Sequence, residues 1–276
     1  MSGPGTVTFA NPAAVDTTAT FDAVGTYVLR LTASDGRSST TDDVTVAVTL
    51  SQSFQDGMSP ATSYTGTRDT AITNPSSKGL GSSTTLTADG KKTSTALLKW
   101  DISSVPAGSN VQSASITLNV TDSSLVSFPI FGLKQDWSET LATWQTFSAT
   151  GKWQLPGAKG ANDRGTTPLG TLSAATKGSV TVSLNSAGVA LVQSWVNNPG
   201  MNFGIIIQNF NAKDSIAFSS REAISPADRP KLTVNYMNGP SVKNALGLRS
   251  ATGSKSPDAI DLLLSKRKLV DLLFDL

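Results

Sequence analysis

TALLKWDISSVPAGSNVQSASITLNV, residues 95–120, decides the fold. Its two ends are runs of aliphatic and β-branched residues, and the Pro-Ala-Gly-Ser cluster between them is turn chemistry, so the stretch reads as two strands joined by a polar loop. In the first run Leu98 and Trp100 share one face while Lys99 points to the other, the period of two that a half-buried strand requires. Similar runs recur at FPIFGLKQ (128–135), SVTVSL (179–184), FGIIIQN (203–209), SIAFSSR (215–221) and KLTVNY (231–236), with polar turn clusters between them. Many short strands separated in this way are the signature of a sandwich or jelly roll.

One segment breaks the pattern. NSAGVALVQSWVNN (185–198) has apolar residues at 189, 191, 192, 195 and 196, the spacing of a helical face, with Asn185 or Ser186 as N-cap and Pro199-Gly200 beyond the end. The chain is therefore expected to be all-β with a short helix inserted in its central unit, residues 51–237. Ahead of that unit, residues 1–50 alternate over TVTFA, TTATF, GTYVLRLTASDG and DDVTVAVTL; Tyr27, Leu29 and Leu31 fall on one face and Val44, Val46 and Val48 on another. This segment resembles the last strands of polycystic-kidney-disease (PKD) or related immunoglobulin-like domains, and at about fifty residues it is too short for a whole such sandwich. Residues 238–256 read as a Gly-, Ser- and Asn-rich linker. Residues 257–276 read as an amphipathic helix, with Ser256 as N-cap, Pro257 at the first helical position, Asp258 and Asp261 near the positive end, and Ile260, Leu263, Leu264 and Val270 on an apolar face that docks on the chain itself or on a partner.

Composition removes most chemistries. The chain of 276 residues has no histidine and no cysteine, so a Ser-His-Asp arrangement, a thiolate nucleophile, a disulfide framework and histidine or thiolate metal sites are all absent. Glu139 and Glu222 are the two glutamates, and no local pattern proposes a pair of carboxylates placed to cleave a glycoside. Tyr64, in a loop-like context, is the one tyrosine offered as a lyase base. A formal net charge of +2 supplies no dense basic face for phosphates, which argues against nucleic acid, and no apolar run is long enough to span a membrane. A signal for export, if the parent protein is secreted, is expected upstream of these residues.

The central unit resembles the DNRLRE-type domain, also classed as carbohydrate-binding module family 96. The residues that carry the resemblance are FQDGMSPATSYTGTRDTAI, ALLKWDISSVPAGSNVQSASITLNV, DWSETLATW, GAKGANDR, LVQSWVNNPGMNFGIII and FSSREAISPADRPKLTVNY. The resemblance implies a β-sandwich, appended to secreted enzymes or surface proteins, in a family that includes alginate-binding members. It implies a non-catalytic module, extracellular or at the cell surface, that holds attached domains near a polysaccharide. The rivals are a structural or adhesion spacer that binds no sugar, and a polysaccharide lyase fragment.

The binding residues are read from the loop between Lys152 and Arg164. Trp137 and Trp144 are assigned to the core, as are Trp100 and Trp195. Trp153 lies beside a Gly- and Pro-containing loop and is read either as core or as a platform on which a pyranose stacks. Uronate carboxylates call for Arg and Lys, and residues 51–237 carry fourteen of these against eleven acidic residues, while residues 1–50 carry two against five. Lys152, Lys159 and Arg164 flank Trp153 and complete the preferred site, with Lys99, Arg68 and Arg221 as further candidates. Arg221, Glu222, Asp228 and Arg229 are read chiefly as an ion-pair cluster pinning the last strands. No cofactor is required; Asp56, Asp69 and Asp101 offer the hard oxygens that a bracing calcium ion prefers, without EF-hand spacing.

Overall fold

A computed structural model describes residues 1–90, 93–238 and 260–262. The chain divides into two compact units, Ser51–Gly239 and Met1–Leu50 with Pro240–Leu276.

In the smaller unit β1 (Val7–Phe9) pairs with β2 (Ala19–Phe21), and β3 (Gly25–Ser34) pairs with β4 (Ser39–Val48) in an unbroken antiparallel register of ten residues. Its core is Ala19, Phe21, Tyr27, Leu29, Val46 and Val48. Tyr27 donates its hydroxyl to the Ala23 carbonyl at 2.8 Å, which lets the ring be buried without stranding a polar group. Leu31 and Val44, which share faces with the buried Tyr27 and Leu29 and with Val46 and Val48, are themselves exposed. The alternation is present, but the core covers only the beginning of β3 and the end of β4. The helix expected over 257–276 is corrected at Ile260–Leu262, which forms a strand antiparallel to β2 and so pairs an otherwise open edge. The rest of that tail, and the linker from residue 239 onward, lie outside the described residues.

The larger unit is a β-sandwich. Its strands are β5 (Leu50–Phe54), β6 (Thr67–Thr73), β7 (Thr85–Asp89), β8 (Ser94–Trp100), β9 (Asn110–Asp122), β10 (Ser124–Gly132), β11 (Gly170–Ala174), β12 (Gly178–Ser183), β13 (Ile205–Ile207), β14 (Ser215–Ser219) and β15 (Lys231–Met237). One layer runs β11-β10-β13-β8-β6. In the other, the thirteen-residue β9 carries β12 along one edge and both β15 and β14 along the opposite edge, with β5 beside β15 and β7 beside β14. Among the described residues the layers join through the pair of Asp89 opposite Ser94. Both strands of the deciding stretch form as read: Leu98 and Trp100 are buried, Lys99 faces out, and the Trp100 indole donates to the Pro230 carbonyl at 3.3 Å. The inserted helix α1 (Ser186–Asn197) starts on Asn185, whose side chain accepts from the Gly188 amide, and turns Val192, Trp195 and Val196 inward.

Between β10 and β11 the chain runs from Leu133 to Leu169 without a regular strand or helix. Three tryptophans give this loop a core of its own: Trp137, Trp144 and Trp153 pack with Leu97, Phe131 and Ile206. Trp137 donates to the Phe203 carbonyl and Trp153 to the Thr143 carbonyl, each at 2.9 Å. The buried Asp163 carboxylate accepts from the amides of Gln154 (2.7 Å), Leu155 (3.0 Å) and Gly160 (2.8 Å), replacing a missing strand partner for that turn. Gly157 sits at φ 81, in the left-handed region, and a side chain there would meet the Trp144 ring at 2.6 Å.

Trp153 thus belongs with the plugs. Its residue is 5% exposed and its ring lies edge-on to Phe147 at 5.4 Å, so no face is open to a sugar; the stacking platform is corrected to core. Trp153→Ala is expected to cost about 3–5 kcal/mol of stability in denaturant unfolding, the range for truncating a buried tryptophan. A variant as stable as the parent would contradict this placement.

Candidate functional site

Alternation that buries Leu98 and Trp100 necessarily turns Lys99 outward, and on the neighbouring strand burial of Thr67 and Asp69 does the same for Arg68. Register then sets Arg68 directly opposite Lys99, so the two cations stand side by side on one face of the sheet. They line a cleft of about 640 Å³ together with Tyr64, Asp101, Trp195 and Asn202. Asn202 closes one wall by donating to the Trp100 carbonyl at 2.8 Å and accepting from the Gly204 amide at 3.1 Å. Tyr64 forms another wall, its hydroxyl donating to the Asp101 carbonyl at 3.0 Å. Burial, with Asp56 and Asp101 nearby, pushes the phenol well above its ordinary range, the wrong direction for a base.

The two cations are held differently. Arg68 donates Nη1 to the carbonyls of Thr65 (2.9 Å) and Thr67 (2.8 Å), and its Nε lies 3.8 Å from Glu139. Lys99 donates Nζ to Asp136 at 3.2 Å.

Residues 60–155 match the family model of carbohydrate-binding module family 96. The match begins just before β6 and ends inside the long loop. It takes in Tyr64, Arg68, Lys99, Asp101, Asp136, Glu139 and the three loop tryptophans, and it bears out the resemblance to that family read from the sequence. Over residues 60–155, the part of the larger unit from just before β6 into the long loop, the chain is similar to that family. No curated protein matches the chain.

Behind the module's cleft lies a knot of charge. Arg221 donates Nε to Asp56 at 3.0 Å and Nη1 to both oxygens of Glu139 at 3.1 and 3.0 Å, with Glu222 at 3.6 Å; its amide donates to Asp69 at 2.7 Å. The Asp69 amide in turn donates to Glu139 at 3.0 Å, and Asp56 accepts from the Thr67 amide at 2.8 Å. The sequence placed Arg221 and Glu222 in an ion-pair cluster, and they are in one, but their partners come from β6 and from the loops after β5 and β10. Arg229 binds the carbonyls of Ala223 (3.0 Å) and Asp56 (3.2 Å) instead of a carboxylate. Arg221, offered as a ligand contact, is instead an internal strut, its Nε and Nη1 both held by Asp56 and Glu139.

The remaining candidates disperse. Arg164, read as a ligand contact, donates to Gln208 (2.8 Å) and the Gly165 carbonyl (2.7 Å) and lies 3.8 Å over the Phe131 ring; Asp163 is taken up by backbone amides. Lys159 is exposed over Phe210, and Lys152 is exposed. The calcium site drawn from Asp56, Asp69 and Asp101 is also corrected: Asp56 is paired with Arg221, Asp101 accepts from the Ser103 amide at 2.9 Å, and among the described residues no three acidic, histidine or cysteine side chains come together to hold a metal ion. What sequence reasoning missed is Asn202, which lines the cleft, and Asp136, which pairs with Lys99 at its edge; nothing local to either marks it as a neighbour of β6 and β8.

Asp69 yields a pH prediction. Its Oδ1 is buried without a hydrogen-bond partner, and burial, with Glu222 and Glu139 close by, pushes its carboxyl up to about 8 against the pull of the Arg221 amide. Glu222 is raised in the same direction, also chiefly by burial. An unfolded aspartate titrates near 4, so between about pH 4 and 8 the folded state binds more protons than the unfolded one. Asp69 therefore makes the module lose stability as pH rises through that window and contributes no further loss above it. Urea unfolding across this range should show the fall in the parent chain and a smaller slope in Asp69→Asn, which cannot titrate there; equal slopes would refute the placement of the proton.

Proposed function

We propose that the module is non-catalytic and binds a polyuronate, with uronate carboxylates on Arg68 and Lys99 and the sugar ring against Tyr64. The observation that carries this reading is the direct cross-strand pairing of the two cations inside a walled cleft, at residues that lie within the family match. An arginine already held by two carbonyls keeps its remaining donors fixed for a planar acid, and a lysine beside it adds a point charge. Polymers of uronic acid present carboxylates at regular intervals, which suits two adjacent cations better than a neutral glucan does. Tyr64 argues against the lyase alternative, because its hydroxyl is engaged and its acidity suppressed. A spacer without a ligand has no use for the cleft. In a secreted or surface protein such a module acts by proximity, raising the effective concentration of attached domains at the polymer.

Calorimetric titration of the chain with oligoalginate tests this, with a neutral cello-oligosaccharide as control. Binding is expected for the uronate alone, with Arg68→Ala and Lys99→Ala each weakening it by about tenfold, the order expected for one charge-assisted contact. The loss should shrink as salt rises, because exposed charges are screened over about 8 Å at physiological ionic strength. Preference for the neutral oligosaccharide would overturn the choice of polymer. Retained uronate affinity in both variants would move the site to the exposed Lys152 and Lys159.

A further inference from the structure

Both counter-ions of the cleft come from one tetrapeptide, Asp136-Trp137-Ser138-Glu139. Trp137 is buried and pinned to the Phe203 carbonyl, and the Ser138 amide donates to Phe147 at 2.8 Å, so the carboxylates on either side of the indole are set in place by a plug in the core. They differ in one respect that matters for binding. Glu139 is 14% exposed and is held by Arg221 and the Asp69 amide as well as lying near Arg68. Moving it would take two hydrogen bonds from Arg221 and leave the Asp69 amide without its partner, so it stays put. Asp136 has a side chain 73% exposed and meets Lys99 through one ion pair, while the Lys99 side chain is only 29% exposed. An exposed pair of this kind contributes little and is readily exchanged.

We propose that Asp136 is a built-in competitor for the ligand: it occupies Lys99 in the free module and is displaced by a carboxylate of the bound anionic chain, while Glu139 keeps Arg68 in position. This rests on the polyuronate reading of the cleft and adds to it a specificity device. A neutral sugar offers nothing to replace the Asp136 carboxylate and leaves the pair closed. An anionic chain exchanges one ion pair for another and is opposed by the negative charge of Asp136, so only a ligand that brings its own carboxylate to Lys99 gains from opening it. Lys99 is thereby the releasable cation of the cleft and Arg68 the fixed one.

Oligoalginate affinity of Asp136→Asn at low salt, measured by calorimetry, tests the assignment. The variant is expected to bind about two- to fivefold more tightly than the parent chain, the worth of one exposed ion pair. The gain should disappear when Lys99→Ala is added, and cello-oligosaccharide binding should not change. Because Asp136 is exposed, its replacement is expected to leave the unfolding midpoint in place, which separates this effect from misfolding. If the parent binds oligoalginate and Asp136→Asn binds it equally or more weakly, or if the gain survives in the Lys99→Ala background, Asp136 is not a competitor and the polyuronate reading stands alone. If neither the parent nor Asp136→Asn binds oligoalginate, the polyuronate reading itself falls. Binding by the variant alone would support both.

Discussion

Glu139 accepts two hydrogen bonds from Arg221 and one from the amide of Asp69, in a place where little of its side chain meets water. A carboxylate buried to that degree is tolerable only when its partners are complete, and the charge cluster that completes them draws on four separate pieces of chain. These are the loop after β5 that brings Asp56, strand β6, the long loop after β10, and the turn after β14 that brings Arg221. This knot ties together segments that the backbone ladder does not pair. Its arrangement also leaves two buried carboxylate oxygens, Asp69 Oδ1 and Glu222 Oε2, without partners, which is the physical origin of the pH dependence.

The same residue connects the interior to the cleft. Holding Glu139 holds the tetrapeptide that begins at Asp136, and the tetrapeptide places one acid near each cation of the binding face. Trp137 is the mechanical element of this arrangement: an indole fixed by packing and one hydrogen bond cannot rotate without unmaking the core around it. A long loop, ordinarily the most variable part of a sandwich, is thus made rigid by three buried rings and by Asp163 gathering three amides. The three tryptophans are buried in the core of the loop and set the positions of the charges beside them.

Much of the fold was legible in local pattern. Alternation at Leu98, Lys99 and Trp100, the turn cluster after Asp101, and the capped helix ahead of Pro199 each state a structure within a few residues, because the periods of strand and helix are properties of the backbone. The absence of histidine and cysteine limited the chemistry before any fold was considered. Pattern also misled where burial depends on what lies opposite. Leu31 and Val44 alternate correctly yet face water, since alternation reports which residues share a face and not whether anything covers it. Ile260–Leu262 carries a helical spacing but forms a strand, because an open edge on β2 competes with the helix for its backbone.

The binding face belongs to the second category. Nothing near Arg68 in the chain announces Lys99, thirty-one residues on; the pairing comes from the register of β6 against β8, a choice made by which side chains must be buried on the other face. Asn202 joins the cleft, and Asp136 reaches Lys99, in the same non-local way. Trp153 and its loop looked like a site because Gly, Pro and Lys surround them in sequence, and only packing against Phe147 and Thr143 settled the ring as core. The sequence by itself determined the strand-rich class, the inserted helix, the family and the missing acid-base machinery. Tertiary structure decided which charges meet, since the pairing of long polar side chains is set by register and burial across strands distant in sequence.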